Sequence, residues 1–536
     1  MPPLFDPTRR AALRGLLGAA TATAWPLASW AQPIPQRWAH DPFSLGVASG
    51  SATHGSIVLW TRLMDAGREP LPAATGPVPL RWELADDAAF TRVWRQGQAL
   101  AEPDLAHAVH VELTDLPADR PFFYRFASGQ AVSRVGRSRT APAPDASPAR
   151  LRLAYASCQR WEHGFYAAWR HLVDDAPDAV LFLGDYIYEY PGAPGAVRMP
   201  TGGLVSTLAQ YRARYALHKS DADLQAAHAA APWYCTWDDH EVQNDYAGLT
   251  EGTGPSLAWS FAARRAAAYQ AWYEHMPVPA RVLTRALDGL ASRGGDAEMR
   301  IYDSVRWGRL AQLHLLDCRQ YRSPQACTPG GRRGSGTVEP ARCDELANPG
   351  RHLLGAAQEA WLAERVAQVA REARWSLVGQ ATLFGPRDLQ PGPGQRIWND
   401  GWDGYPAARE RVTALLRASG TRNHVLLGGD LHENWVGHVL DDHAKPDSDA
   451  IGVEFCGTSI TSLANGQART AERLAENPHF VFADAQRRGY GLLDLGPGGA
   501  TATLRALDDA TRSDASVHTL ARFQVQAGRA RVERDG

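Results

Sequence analysis

The pattern of apolar and polar positions changes character near residue 150. Before it, apolar residues recur at every second position in short runs. Leu80, Trp82 and Leu84 share one face, as do Val109, Val111 and Leu113, and then Phe122, Tyr124 and Phe126 with Arg125 opposite. Period-two runs broken by Gly, Pro and Asp turns predict strands. Together with the unbroken run 57–60, they make 43–140 read as a small all-β sandwich. Residues 141–149, with Pro142, Pro144 and Pro148, read as a linker.

Beyond the linker, continuous apolar runs alternate with stretches of helical period. Strands are expected at 151–157, 179–184, 310–316, 375–378 and 425–429, and helices at 165–173, 258–274, 356–373 and 407–418. Runs such as 179–184 that are apolar throughout indicate strands buried on both faces. The stretch 150–505 is therefore expected to be one α/β (α+β layered) domain, with 281–300 a surface insert and 506–536 a C-terminal tail. No internal repeat is evident. At 536 residues the chain exceeds what one hydrophobic core usually serves, which agrees with a division near 145.

The first 31 residues fit neither pattern. Arg9 and Arg10 precede a mildly apolar run from Leu16 to Ala28, followed by Ser29-Trp30-Ala31. Paired arginines, a short apolar stretch and small residues at a cleavage position read as an export peptide of the twin-arginine type. The chain is then expected to use the Tat export machinery and to reside in the periplasm or be secreted. No other stretch is apolar for the ~18 residues a membrane-spanning helix needs. A formal net charge of −2 gives no reason to expect a stable nucleic-acid partner. Six cysteines are present; in an oxidising compartment Cys327 and Cys343, which bracket a Gly/Arg-rich loop, are the best pair for a disulfide.

Potential metal donors fall just after the ends of apolar strands, where open α/β sheets place their ligands. Four groups stand out: Cys158 with Arg160; Asp185 with Tyr188; Asp238-Asp239-His240-Glu241; and Asp430 with His432, preceded by Gly428-Gly429. Each has an ordinary alternative, as buried filler, an aromatic contact, a solvated acidic loop or a helix cap. Together they favour one shared centre, because a carboxylate leaving a buried strand is costly without a partner. A phenolate with a thiolate and a carboxylate suits Fe(III), whereas clustered carboxylates suit Ca²⁺, Mg²⁺ or Mn²⁺.

In this order, Ala156-Ser157-Cys158-Gln159, Gly184-Asp185-Tyr186-Ile187-Tyr188, Trp237-Asp238-Asp239-His240-Glu241 and Gly429-Asp430-Leu431-His432-Glu433-Asn434-Trp435 resemble the PhoD-like alkaline phosphatases and phosphodiesterases. Asp400-Gly401-Trp402-Asp403-Gly404-Tyr405 matches a further stretch, and Phe43-Ser44-Leu45-Gly46-Val47-Ala48-Ser49-Gly50 resembles that family's N-terminal domain. The resemblance implies a calcineurin-like metallophosphoesterase core, four layers around two central sheets. It implies Fe(III) among Cys158, Asp185, Tyr188 and His432, with Asp185 bridging to a Ca²⁺ that Asp239 and Asp430 also hold. A second Ca²⁺ is implied without assignable ligands. Arg160 stands where the wider superfamily commonly has a ligand His, and Tyr188 takes over that role, as in purple acid phosphatases. Gln380, at the position of a later ligand His, is not assigned a role.

The expected activity is hydrolysis of phosphate mono- and diesters by a metal-activated water or oxo/hydroxo nucleophile. His240 is the expected catalytic proton donor, or else a partner holding Asp239 or Asp185. Arg160 is a candidate phosphate contact. A phospholipase D-type phosphodiesterase is the alternative within enzymes, and a metal-holding binding protein without catalysis is the alternative outside them.

Overall fold

The computed structural model describes residues 37–65, 70–72, 75–254, 261–283, 298–328, 330, 333–464 and 469–535. The expected export peptide at 1–31 lies outside the described residues, as does most of the expected insert at 281–300.

Two large sheets form the centre. A ten-stranded sheet has at its middle the parallel strands Leu151–Ala156, Ala179–Phe182, Pro232–Cys235 and Val47–Gly50. A seven-stranded sheet has Ala311–Leu315, Trp375–Gly379, His424–Gly428 and Ala450–Cys456 running parallel. Successive side chains of a strand leave opposite faces, and the apolar runs use both. In the first sheet, Ala179 and Leu181 enter the core shared by the two sheets, whereas Val180 and Phe182 pack under helices. In the second, Leu377, Val425 and Leu427 face the shared core and Val378 and Leu426 face helices. Helices Ala167–Asp174, Leu208–Lys219, Ala222–Ala230 and Phe261–His275 cover the outer face of the first sheet. Ala356–Glu372 and Pro406–Ala418 cover that of the second. The result is the expected helix–sheet–sheet–helix stack. A fully buried Leu or Val on such a strand stabilises it by roughly 1.5–3 kcal/mol.

The N-terminal region is all-β, but its strands are shared. Val78–Ala85, Val93–Ala101 and Pro121–Ser128 form most of a five-stranded sheet. Val47–Gly50, Ile57–Arg62 and Ala108–Leu113 instead extend the ten-stranded sheet, with Ser49 paired to Pro232. Ile57, Leu59 and Val111 pack against Leu80, Trp82 and Tyr124, so the sandwich takes one of its two layers from the ten-stranded sheet. The stretch 141–149, expected as a linker, joins two regions that pack on one another. The stretch 506–535, expected as a C-terminal tail, packs on the core: Val517–Gln526 and Glu533–Asp535 complete the far edge of the ten-stranded sheet, with Phe523 and Val525 buried. Cys327 and Cys343 are joined by a disulfide, and the other four cysteines are free and buried. Among the described residues no helix is long and apolar enough to cross a membrane.

Candidate functional site

The parallel strands of both sheets end at one rim, and the loops beyond them carry the acidic groups. Cys158 follows Leu151–Ala156, Asp185 follows Ala179–Phe182, Asp238 and Asp239 follow Pro232–Cys235, and Asp430 and His432 follow His424–Gly428. The first two loops are tied by backbone bonds from Cys158 N to Gly184 O (3.0 Å) and from Gln159 N to Asp185 O (3.1 Å). Cys158, Asp185, Asp430 and His432 all have positive φ, at 58°, 59°, 64° and 58°. Each such residue costs on the order of 1 kcal/mol or more and persists because its surroundings over-determine it. Gly184 has φ +110°, and a side chain there would strike the Asp238 amide at 2.5 Å. Only glycine lets these two loops touch.

Asp185 is the hub. Tyr188 Oη donates to Asp185 Oδ2 (2.7 Å) and lies 3.2 Å from His432 Nε2. Asp185 Oδ1 accepts from the His240 amide (3.4 Å). One carboxylate thus faces two sets of donors. Ligand atoms of Cys158, Asp185 and His432 lie within 4.8 Å of one another, and so do those of Asp185, Asp239 and His240. Tyr188 is steadied by Ser462 Oγ at 2.8 Å, which is also 2.9 Å from Cys158 O. Asp430 accepts from Thr382 Oγ1 (2.8 Å).

Carboxylate oxygens of a third group, Asp239, Asp245 and Asp400, also lie within 4.8 Å of one another. Asp239 accepts the Asp245 amide at 2.6 Å, and Asp245 Oδ2 accepts Ser335 Oγ and Thr253 Oγ1, both at 2.7 Å. Asp245 was not marked by strand-end reasoning because it lies six residues past Asp239. Asp400 was noted only as part of a resembling stretch. Also missed were Arg319, Arg322 and Glu189. Arg319 bonds Asp238 and, at 2.7 Å, Asp400, and lies 3.7 Å from Asp239. Arg322 pairs with Asp400 at 3.0 Å. Glu189 holds His240 Nδ1 at 2.7 Å and the Asn244 amide at 2.8 Å. Arg319 and Arg322 lie just beyond Ala311–Leu315, but their pairing with Asp400, 81 and 78 residues further on, is not visible in local spacing. Gln380 is fully used elsewhere: it donates to Thr382 O and accepts from Trp402 Nε1 (3.0 Å).

The charges in this cluster are set by burial and by one another. Burial, with the charge of Asp185 beside it, pushes the Cys158 thiol well up. Burial also drives Asp185 well above the carboxylate range, and raises Asp430 and Asp245 to about 6. For Asp239 burial is more than offset by Arg319 and His240, which leave it well below its ordinary value. Burial disfavours the His240 cation, but Glu189, Asp239 and Asp185 outweigh it and hold the imidazolium. Burial lowers His432 to about 3, so it is neutral and free to donate a lone pair. So many carboxylates sharing protons over a few ångströms is an arrangement that cations would relieve.

The cluster floors a cavity of about 710 Å³, walled in part by Arg160, Tyr190, Arg387, Trp398 and Leu463. Arg160 lies over the rings of Tyr188 and Tyr190, 5.5 and 5.0 Å from their centres, and its Nε, 3.7 Å from Glu162, has no hydrogen bond.

Residues 153–504 match the model for the PhoD-like phosphatases, and residues 28–142 match that for the PhoD-like phosphatase N-terminal domain. The chain belongs to the PhoD-like phosphatase family. Alkaline phosphatase D of Bacillus subtilis (strain 168) is 40% identical over 497 residues, covering 90% of this chain and 81% of that one. A solved structure of PhoD superposes with a TM-score of 0.86 at 38% identity, over 94% of this chain and 93% of the other.

Proposed function

We propose that this PhoD-like phosphoester hydrolase is a metal-dependent alkaline phosphatase and phosphodiesterase whose centre is organised by Asp185. The observation that carries the reading is the pair of donor sets meeting on that carboxylate, with Tyr188 Oη 2.7 Å and the His240 amide 3.4 Å from its two oxygens. The residues present fit cations on chemical grounds. Cys158, Asp185, Tyr188 and His432 offer thiolate, carboxylate, phenolate and imidazole, a donor mix suited to Fe(III). Asp239 beside Asp185, and the group Asp239, Asp245 and Asp400, offer carboxylate oxygens suited to Ca²⁺, and Asp430 lines the same cavity. The second group would supply the further Ca²⁺ position that the sequence left without ligands. Ions held there would polarise the phosphoryl oxygens and make a nucleophile available near neutral pH.

The chain's own residues account for the rest. Arg160 reaches the cavity from the Tyr188 side and binds a phosphoryl oxygen with a charge-assisted bond. Glu189 fixes His240 through Nδ1, so Nε2 holds the proton that passes to the departing alkoxide. The cavity is large enough for the second arm of a diester, with Trp398 and Leu463 exposed beside it. A phospholipase D-type phosphodiesterase is the alternative reading, so a phosphatidyl lipid is assayed in parallel.

We further propose export by the twin-arginine route, supported by Arg9-Arg10 and the small residues at 29–31, with the Cys327–Cys343 disulfide suited to an oxidising compartment. The test of the reading is Asp185→Asn. It is expected to remain folded by circular dichroism while losing hydrolysis of p-nitrophenyl phosphate and bis(p-nitrophenyl) phosphate by at least about a thousandfold, as expected for an interaction worth several kcal/mol in the transition state. Activity within about tenfold of wild type would refute the assignment.

A further inference from the structure

The cavity contains a cation that the hydrolytic chemistry above does not use. Arg473, on the helix Thr470–Glu476, lines the same wall as Arg387, Leu431 and Glu433. The acids around it are committed elsewhere. Glu433 Oε2 takes Arg387 at 3.0 Å and Trp435 Nε1 at 2.8 Å, Glu472 pairs with Arg469 at 3.1 Å, and Glu476 accepts the Gly392 amide at 2.9 Å. Among the described residues Arg473 has no ion pair, and its Nε is shielded from solvent with no hydrogen-bond partner. Burial, and then the neighbouring Arg387, disfavour its charge, which Glu433 offsets only in part. Its Nε is thus an unused donor in the cavity wall, and phosphate matches the fork of donors that a guanidinium offers.

We propose that Arg473 is a specificity-determining residue that receives a second phosphate carried by the substrate beyond the scissile one. This rests on the phosphoester hydrolase reading and deepens it to a substrate class, organic bisphosphates. In the reaction itself water adds to the phosphorus, the P–O bond to the alcohol breaks, the alkoxide takes a proton from His240, and the proton lost by the water returns to the imidazole or leaves with the product phosphate. The distal phosphate stays on the alcohol, bound to Arg473 throughout. Because the contact is the same before and during bond breaking, it acts on KM and leaves kcat alone.

The experiment compares fructose 1,6-bisphosphate, fructose 6-phosphate and p-nitrophenyl phosphate as substrates of the full, metal-loaded enzyme. Wild type is expected to show the lowest KM for the bisphosphate. Arg473→Gln is expected to raise that KM about tenfold, equivalent to about 1.4 kcal/mol, with the two monophosphates changed by less than twofold. Arg473→Lys is expected to recover part of the loss. An equal effect on all three substrates, or an unchanged KM for the bisphosphate, would overturn the proposal while leaving the hydrolase reading standing. Failure of wild type to hydrolyse any of the three would remove both.

Discussion

Replacing Arg319 by Leu removes the one cation that, among the described residues, pairs with Asp238, and leaves Asp400 with Arg322 and the Gln325 amide. Arg319, Asp238, Asp239 and Asp400 are exposed by only 1, 1, 4 and 2%, so water cannot take over the lost bonds. Removing one member of a buried ionic cluster costs about 3–5 kcal/mol, chiefly because charges are left uncompensated. That is a change of two to three and a half powers of ten in the folded population, at about 1.4 kcal/mol per tenfold. Arg319→Lys restores a charge but not the planar fork that reaches two carboxylates at once, so it should recover roughly half. The assay is urea unfolding of chelator-treated protein at pH 8, followed by circular dichroism, with stability read from the midpoint at unchanged slope. A stability of Arg319→Leu within about 0.5 kcal/mol of wild type, below the usual effect of a core change, would refute the reasoning that this cation holds the acidic rim together.

Lys219 offers a pH-dependent test away from the ligands. It is buried with its Nζ 4.2 Å from the centre of the Trp60 ring, and burial lowers it from 10.5 to about 7. The folded protein sheds this proton near pH 7 while the unfolded chain keeps it to about 10.5, so the cost of the buried charge is full below pH 7 and fades between the two values. Lys219→Met should therefore be more stable than wild type by a few kcal/mol at pH 6.5, with the advantage shrinking toward pH 10. A constant difference across that range in urea midpoints would contradict the assignment. The Cys327–Cys343 bridge closes a loop with a sequence separation of 16 that carries Ser335 to Asp245. The double substitution of both cysteines by Ser should cost about 3 kcal/mol, read from the same midpoints, and an unchanged midpoint would show that the loop holds itself.

How much of this was legible in the sequence follows from which forces act locally. The strands of the catalytic core were readable because both of their faces are buried, which writes an unbroken apolar run. The helix Phe261–His275 and its counterparts at Ala356–Glu372 and Pro406–Ala418 were readable from period. The helix Leu208–Lys219 was passed over although Thr207 and Gln210 form a capping box at its start. Its buried residues include Arg214, His218 and Lys219, which blur the apolar stripe. The shared sheet of the N-terminal region could not be read, since alternation tells which face is apolar and not which strand is the neighbour. At the site, residues directly past strand ends were found, whereas Arg319, Glu189 and Asp245 were not. Their roles come from partners up to 81 residues away, as in the Arg319–Asp400 pair, and single-chain spacing does not carry that information.

Tyr188 Oη lies 2.7 Å from Asp185 Oδ2, and the proposed function makes the phenol a ligand of the metal that Asp185 holds. The visible absorption spectrum of the purified enzyme, compared with that of Tyr188→Phe, tests it most directly. Iron bound by the Tyr188 phenolate predicts a coloured wild type and a Tyr188→Phe protein that has lost the band. A colourless, fully active wild type, or a band that survives the substitution, would contradict the account.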